Sequence, residues 1–221
     1  MNNTAIFMGN RYSRIKKFYE KVKASMNSGK SFTINLRNDT QEQISNICQL
    51  ANDLYKIAFL EEYKYQKYPR FILYARPSRM PKCLNFLSGQ WLERFVKEQV
   101  IQLVQSINPQ LRYSYLLNPQ IILPNGNDFD LDVIFKIEED IFWFEAKTGE
   151  YQRYVEKYSK MSSILNLDKE HSYMILTDVS ENSTKALSSI FKMTVVNIEE
   201  FAEHLKQSLD KYASISTSDE Q

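Results

Sequence analysis

Two acidic stretches separated by a short turn carry the residue types most able to do chemistry. In Asp130-Leu131-Asp132-Val133-Ile134-Phe135, alternation sets Leu131, Val133 and Phe135 against Asp130, Asp132 and Ile134, because strand residues two apart share a face. In Ile141-Phe142-Trp143-Phe144-Glu145-Ala146-Lys147, the face of Phe142, Phe144 and Ala146 is apolar, and Trp143, Glu145 and Lys147 stand opposite. Both segments are apolar enough to lie inside a sheet, yet each carries charge at one end. Unpaired buried charge is costly, so such groups must neutralise one another or hold a cation. Glu138-Glu139-Asp140 is short enough for a hairpin turn, which makes the strands neighbours and brings Asp132 toward Glu145 and Lys147. Two carboxylates on adjacent strands are hard oxygen ligands suited to Mg²⁺ or Mn²⁺. A lysine beside them can orient or help deprotonate a bound water, or neutralise charge growing on a phosphate. One or two such ions stabilise in-line attack on a phosphodiester. An added acid would come from the preceding helix, where Glu93 is the natural candidate. A plain ion pair at a strand end would use the same three residues.

A Glu-x-Lys triplet alone says little, and this chain has another in Glu62-Tyr63-Lys64. That one lies in a charged stretch read as the end of a helix, with no Asp-bearing strand before it, and it reads as a solvated face. The only histidines are His171 and His204. That scarcity excludes histidine-rich metal sites, and any Ser-His-Asp or Cys-His mechanism would rest on one of the two. His171 reads as a loop residue and His204 as part of a terminal helix, so carboxylates and lysine are left to do the chemistry.

The elements that must position these groups follow from hydrophobic periodicity. A helix from about Ser88-Gly89 to Ser106 turns Leu92, Phe95, Val96, Val100, Leu103, Val104 and Ile107 inward. Extended segments follow over residues 112–117, 129–137 and 141–147. A helix over 151–165, a strand over 172–177, a helix over 182–191, a strand over 193–198 and a helix over 199–209 complete the order. A meander joined to right-handed crossovers gives an α/β fold, a mixed sheet with helices on both sides. Residues 212–221 read as a polar, mobile tail.

Three motifs stand in sequence: Gly89-Gln90-Trp91-Leu92-Glu93, Asp130-Leu131-Asp132-Val133-Ile134 and Phe144-Glu145-Ala146-Lys147-Thr148-Gly149. In type and order they resemble the PD-(D/E)xK, restriction-endonuclease-like nuclease superfamily. Within it they are most similar to the nuclease domain joined to nucleotide-sensing modules in some CRISPR ancillary proteins, which act in antiviral defence. The resemblance covers residues 88–200 and implies an αβββαβ core. It implies that Asp132 and Glu145 bind Mg²⁺ or Mn²⁺, that Glu93 adds a ligand and that Lys147 assists the attacking water. It also allows a two-fold homodimer. The chain departs from the superfamily in having no proline before Asp132. Glu156 also stands four positions after Gln152, where RecB-like members have tyrosine.

Charge is informative only after dividing the chain. Overall there are 28 basic and 27 acidic side chains. Residues 1–90 hold 15 basic and 6 acidic, a net of +9, against 13 and 21 in the rest, a net of −8. Such asymmetry suits a polyanion-binding part beside a carboxylate-bearing part. Residues 1–84 form a basic, mainly helical N-terminal region. A helix over 11–27 carries Ile15, Phe18, Tyr19, Val22 and Met26 on one side. Ser31–Leu36 alternates as a strand, and a second helix starts near residue 40 with Thr40 and Gln43 spaced as a capping box. Lys64, Lys67, Arg70, Arg76, Arg79 and Lys82 interleave with tyrosines, a pattern suited to phosphates and stacked bases. A short strand with solvated lysines would look alike. Pro77 and Pro81 mark residues 76–84 as the boundary of a second domain over 85–211.

At 221 residues and 43% apolar content the chain buries enough to fold without staples. Cys48 and Cys83 make no disulfide framework. No apolar run spans a membrane, and the first residues lack signal-peptide order. A cytoplasmic, divalent-metal-dependent nuclease acting on DNA or RNA is the expectation, without a membrane partner. The alternative is a catalytically inactive nucleic-acid-binding protein, or an interaction subunit of a defence or recombination complex.

Overall fold

A computed structural model describes residues 1–123, 126 and 128–213. They gather into two compact units, Met1–Phe95 and Val96–Gln221. The division falls inside a helix, later in the chain than the boundary expected at residues 76–84. Most of the expected tail, residues 214–221, lies outside the described residues. Tyr212 does not belong to a mobile tail: it is buried in a short 3-10 turn.

The first unit begins with a helix the sequence pattern did not reveal, α1 (Asn2–Asn10), followed by α2 (Tyr12–Met26). Next come β1 (Phe32–Asn35), α3 (Gln41–Lys56), β2 (Leu60–Gln66), β3 (Ile72–Pro77) and α4 (Pro81–Asn85). The expected capping box starts α3. The Gln43 amide donates to Thr40 Oγ1 at 3.2 Å, and the Thr40 amide donates to Gln43 Oε1 at 2.9 Å. The strands form an antiparallel sheet in the order β1-β3-β2. Glu62-Tyr63-Lys64 therefore lies within a strand, not at the end of a helix. Its alternation explains this, because Glu62, Lys64 and Gln66 share the outer face while Tyr63 and Tyr65 lie across from Ala75 and Leu73.

A wide π-type turn over Phe86–Gln90 precedes α5 (Trp91–Ile107), so the helix starts later than Ser88. Trp91 is fully buried, stacked on Tyr12 with centroids 5.8 Å apart, and its indole N–H donates to the Tyr19 hydroxyl at 3.0 Å. A Cβ built on Gly9 would come within 2.1 Å of the Phe95 ring, so only glycine fits there.

The second unit is an α/β layer structure with a restriction-endonuclease-like core. After α5 run β4 (Tyr113–Leu117), β5 (Gln120–Ile122), β6 (Asp128–Asp130), β7 (Val133–Ile137) and β8 (Asp140–Lys147). Then come α6 (Gln152–Ile164), β9 (Ser172–Leu176), α7 (Glu181–Ile190), β10 (Thr194–Asn197) and α8 (Phe201–Leu209). The five-stranded sheet has the order β10-β9-β8-β7-β4. It is parallel across β10, β9 and β8 and antiparallel from β8 to β4.

β8 is central and buried on both faces, as its near-continuous apolar run requires. Trp143 packs against Tyr158 of α6, and Phe144, one residue on, packs against Phe201 of α8. The two helices thus cover opposite faces of the sheet. The segment 129–137 is not one strand. Asp128–Asp130 pairs with β5 in a separate small sheet, and β7 begins only at Val133. The break is held by the Leu131 amide donating to Pro119 O at 3.0 Å and the Asn118 amide donating to Asp132 O at 2.9 Å.

Candidate active site

The break before β7 and the antiparallel β7–β8 pairing together place the acidic side chains. Val133 is registered against Phe144, so Asp132, one step earlier, lies beside Glu145. The Asp132 amide lies 3.4 Å from Glu145 Oε2, and the Ala146 amide donates to Asp132 Oδ2 at 2.8 Å. Lys147 Nζ then donates to both carboxylates, at 2.7 Å to Glu145 Oε1 and 3.1 Å to Asp132 Oδ2. These three residues, separated by up to fifteen positions in the chain, form one hydrogen-bonded cluster.

Two aromatic side chains complete the cluster, and the sequence reading assigned them no role in it. The Trp143 indole N–H donates to Glu145 Oε2 at 3.2 Å. Tyr158 lies close enough to couple electrostatically to the Glu145 carboxyl, and its ring faces the Lys147 ammonium 5.1 Å away. Trp143 could have been suspected from its shared face with Glu145. Tyr158 carried no such signal, because its role depends on how α6 lies over the sheet.

Burial governs the charges. Glu145 is 1% exposed, and burial first, then the Asp132 charge, pushes its carboxyl well above the usual range. Burial alone would lower the Lys147 ammonium, but Glu145 and Asp132 outweigh it and hold it up, so this lysine stays charged. Burial and the Glu145 charge push the Tyr158 phenol up, so it stays a donor. The oxygen set is hard and anionic, and it is two carboxylates strong. Among the described residues no group of three or more His, Cys, Asp or Glu forms a ligand cluster. Two carboxylates fit a cation such as Mg²⁺, which keeps several waters and completes its shell with substrate phosphate oxygens.

Glu93 sits on the first turn of α5, half-buried, and belongs to the first unit. The cluster above is the second unit's own. His171 lies away from it, in the loop before β9. Its Nδ1 is 2.6 Å from Asp168 Oδ1 and its ring packs on Phe142. His204 lies on α8.

Near α6 a groove of about 470 Å³ is lined by Phe129, Arg153, Lys157 and Lys160. Lys157 lies with its ammonium 4.7 Å above the Phe129 ring. In the first unit Lys64, Lys67, Arg70, Arg79 and Lys82 are exposed. Arg76 is engaged otherwise: its guanidinium pairs with Glu61 at 3.1 Å and Glu62 at 2.6 Å.

The fold and the cluster define a restriction-endonuclease-like α/β architecture bearing an Asp–Glu–Lys group, its glutamate buried and its aspartate and lysine half-buried, at the junction of two central strands. Comparison with solved structures finds the same fold in VC1899 from Vibrio cholerae, with a TM-score of 0.58, 16% identity and 96% of this chain covered. It is also found in Can2 from Sulfobacillus thermosulfidooxidans, solved in complex with cyclic tetra-adenylate, with a TM-score of 0.60, 12% identity and 95% of this chain covered. The chain spans 56% of the length of each. No protein-family model and no curated protein sequence matches the chain.

Proposed function

We propose that the chain is a divalent-metal-dependent endonuclease of the PD-(D/E)xK superfamily, hydrolysing phosphodiester bonds in DNA or RNA. One observation carries the reading. Asp132, Glu145 and Lys147 converge at the end of adjacent strands, with Glu145 buried and the other two half-buried, in a fold shared with VC1899 and Can2. Asp132 and Glu145 would hold Mg²⁺ or Mn²⁺, which when bound supplies Lewis-acid stabilisation of the phosphoryl transition state. Lys147, kept protonated by its neighbours, donates hydrogen bonds to a phosphate oxygen or the attacking water and is not suited to accept a proton. Trp143 fixes the Glu145 carboxylate through its indole N–H, and the Tyr158 ring flanks the Lys147 ammonium. Arg153, Lys157 and Lys160 on α6 offer cations to the substrate backbone, as do Lys64, Lys67, Arg70, Arg79 and Lys82 in the first unit.

The test is incubation of purified protein with Mg²⁺ or Mn²⁺ and linear, branched and single-stranded DNA and RNA. Cutting is expected, and Lys147→Ala is expected to reduce it by about 10² or more with the fold intact by circular dichroism. Absence of cutting on every substrate overturns the reading. The basic first ninety residues favour a second reading, a nucleic-acid-binding protein without catalysis. Salt-dependent binding without metal-dependent cleavage would single it out.

A further inference from the structure

We infer that the tip of the β2–β3 hairpin is a stacking contact for an unpaired nucleobase, with Tyr68 as the platform and Lys67 and Arg70 as flanking phosphate contacts. This rests on the nucleic-acid reading above and names the part of the substrate the first unit takes. Tyr68 is 83% exposed, more than any other large apolar side chain among the described residues. Its ring meets Phe71 in a T-shaped contact, with centroids 6.1 Å apart and planes at 83°, a single ring contact that leaves at least one Tyr68 face open.

The tip is held in place from below. The Arg70 and Phe71 amides donate to Lys67 O at 3.2 and 3.3 Å, the Leu36 amide donates to Phe71 O at 2.8 Å, and the Arg37 guanidinium donates to Pro69 O at 2.9 Å. A ring presented on a fixed backbone loses little freedom on binding.

The surroundings choose the ligand. From Tyr63 to Ile72 the hairpin carries Lys64, Lys67 and Arg70 and no acidic residue. Among the described residues no carboxylate pairs with these cations, whereas Arg76 lower in the hairpin is neutralised by Glu61 and Glu62. A protein-binding patch would gather apolar neighbours and shed charge at its centre. An isolated ring between unpaired cations matches a base attached to a phosphate backbone, since every base offers a π-face and each phosphate a charge. A paired base in a duplex hides that face, so the contact favours single strands or frayed ends.

The experiment uses the full chain in EDTA, so that binding is read apart from cleavage. The probe is a single-stranded oligonucleotide carrying 2-aminopurine, with the matching duplex as control. Wild-type protein is expected to quench 2-aminopurine in the single strand. Tyr68→Ala is expected to weaken single-strand binding about tenfold or more and to abolish the quench, while Tyr68→Phe keeps both. Lys67→Ala and Arg70→Ala are each expected to lower the salt slope by about 0.7 while the quench persists. Tyr68→Ala that binds and quenches like wild type overturns the inference. So does a wild-type protein that binds no oligonucleotide, or one whose tip crosslinks to a protein instead. A chain that stacks through Tyr68 yet never cuts with Mn²⁺ loses the hydrolase reading alone. One that cuts normally with Tyr68→Ala at unchanged affinity loses only the stacking contact.

Discussion

Glu145 carries two hydrogen bonds on one oxygen and a lysine on the other, yet its carboxyl is still pushed up to about 8. A folded-state pKa above the unfolded one adds stability that is fully present below the unfolded value and fades as pH rises through the folded one. Metal-free protein should therefore gain stability between pH 8 and about pH 5, and urea midpoints for Glu145→Gln should lose this rise. Asp140 and Asp168 work oppositely. Tyr212 and Lys211 hold the Asp140 carboxyl down, and His171 outweighs burial to do the same for Asp168. Their contribution is present above the usual carboxylate range and is lost as pH falls through their depressed values, so the two windows do not overlap. Tyr158→Phe removes only the hydroxyl whose charge environment is coupled to Glu145. It should lower kcat about tenfold with little change in KM or melting temperature, measured by steady-state cleavage. The acidic pair and its lysine were legible as a strand pattern, because alternation sorts charges onto one face without knowledge of the fold. Tyr158 was not, since a helix stripe of tyrosines looks the same whether it covers hydrocarbon or a carboxylate.

Elements were legible where one face differed from the other and were misread where it did not. In α2 the buried stripe is set off by Lys17, Lys21 and other exposed cations, and its extent matched expectation. In α1 Thr4, Ala5, Phe7, Met8 and Gly9 are all buried, so little contrast of faces advertised a helix. The segment 129–137 has the alternation of a single strand, but backbone partners at Pro119 and Asn118 interrupt it at Leu131–Asp132. That interruption frees Asp132 from the regular ladder to bond Ala146 and Lys147. The α1 contact with α5 permits a sharp test. Gly9→Ala gains about 1 kcal/mol of helix propensity, but the new methyl collides with the Phe95 ring. Overpacking of this kind costs about 1–3 kcal/mol, so the net change should be a lower urea midpoint with unchanged slope.

At the scale of the molecule, charge is segregated: +9 in the first 90 residues and −8 in the remainder. Read from composition, this division said that two kinds of surface exist, but not where they lie. The structure adds that Arg76 is spent on Glu61 and Glu62, a pairing that a charge count cannot reveal. If the carboxylates of the second unit take a cation, binding must stabilise the fold by mass action, about 2.7 kcal/mol at a hundredfold excess over Kd. Millimolar Mn²⁺ should therefore raise the melting temperature of the wild-type protein and leave that of Asp132→Asn nearly unchanged, as read by scanning fluorimetry. Finally, Tyr212 and Lys211 both hold Asp140, the first residue of the strand whose far end bears Glu145 and Lys147. A purification handle or surface anchor fused directly behind Ala213 would tug on that grip and be felt along the whole strand. Tethered formats therefore call for a spacer, or for attachment at the opposite terminus.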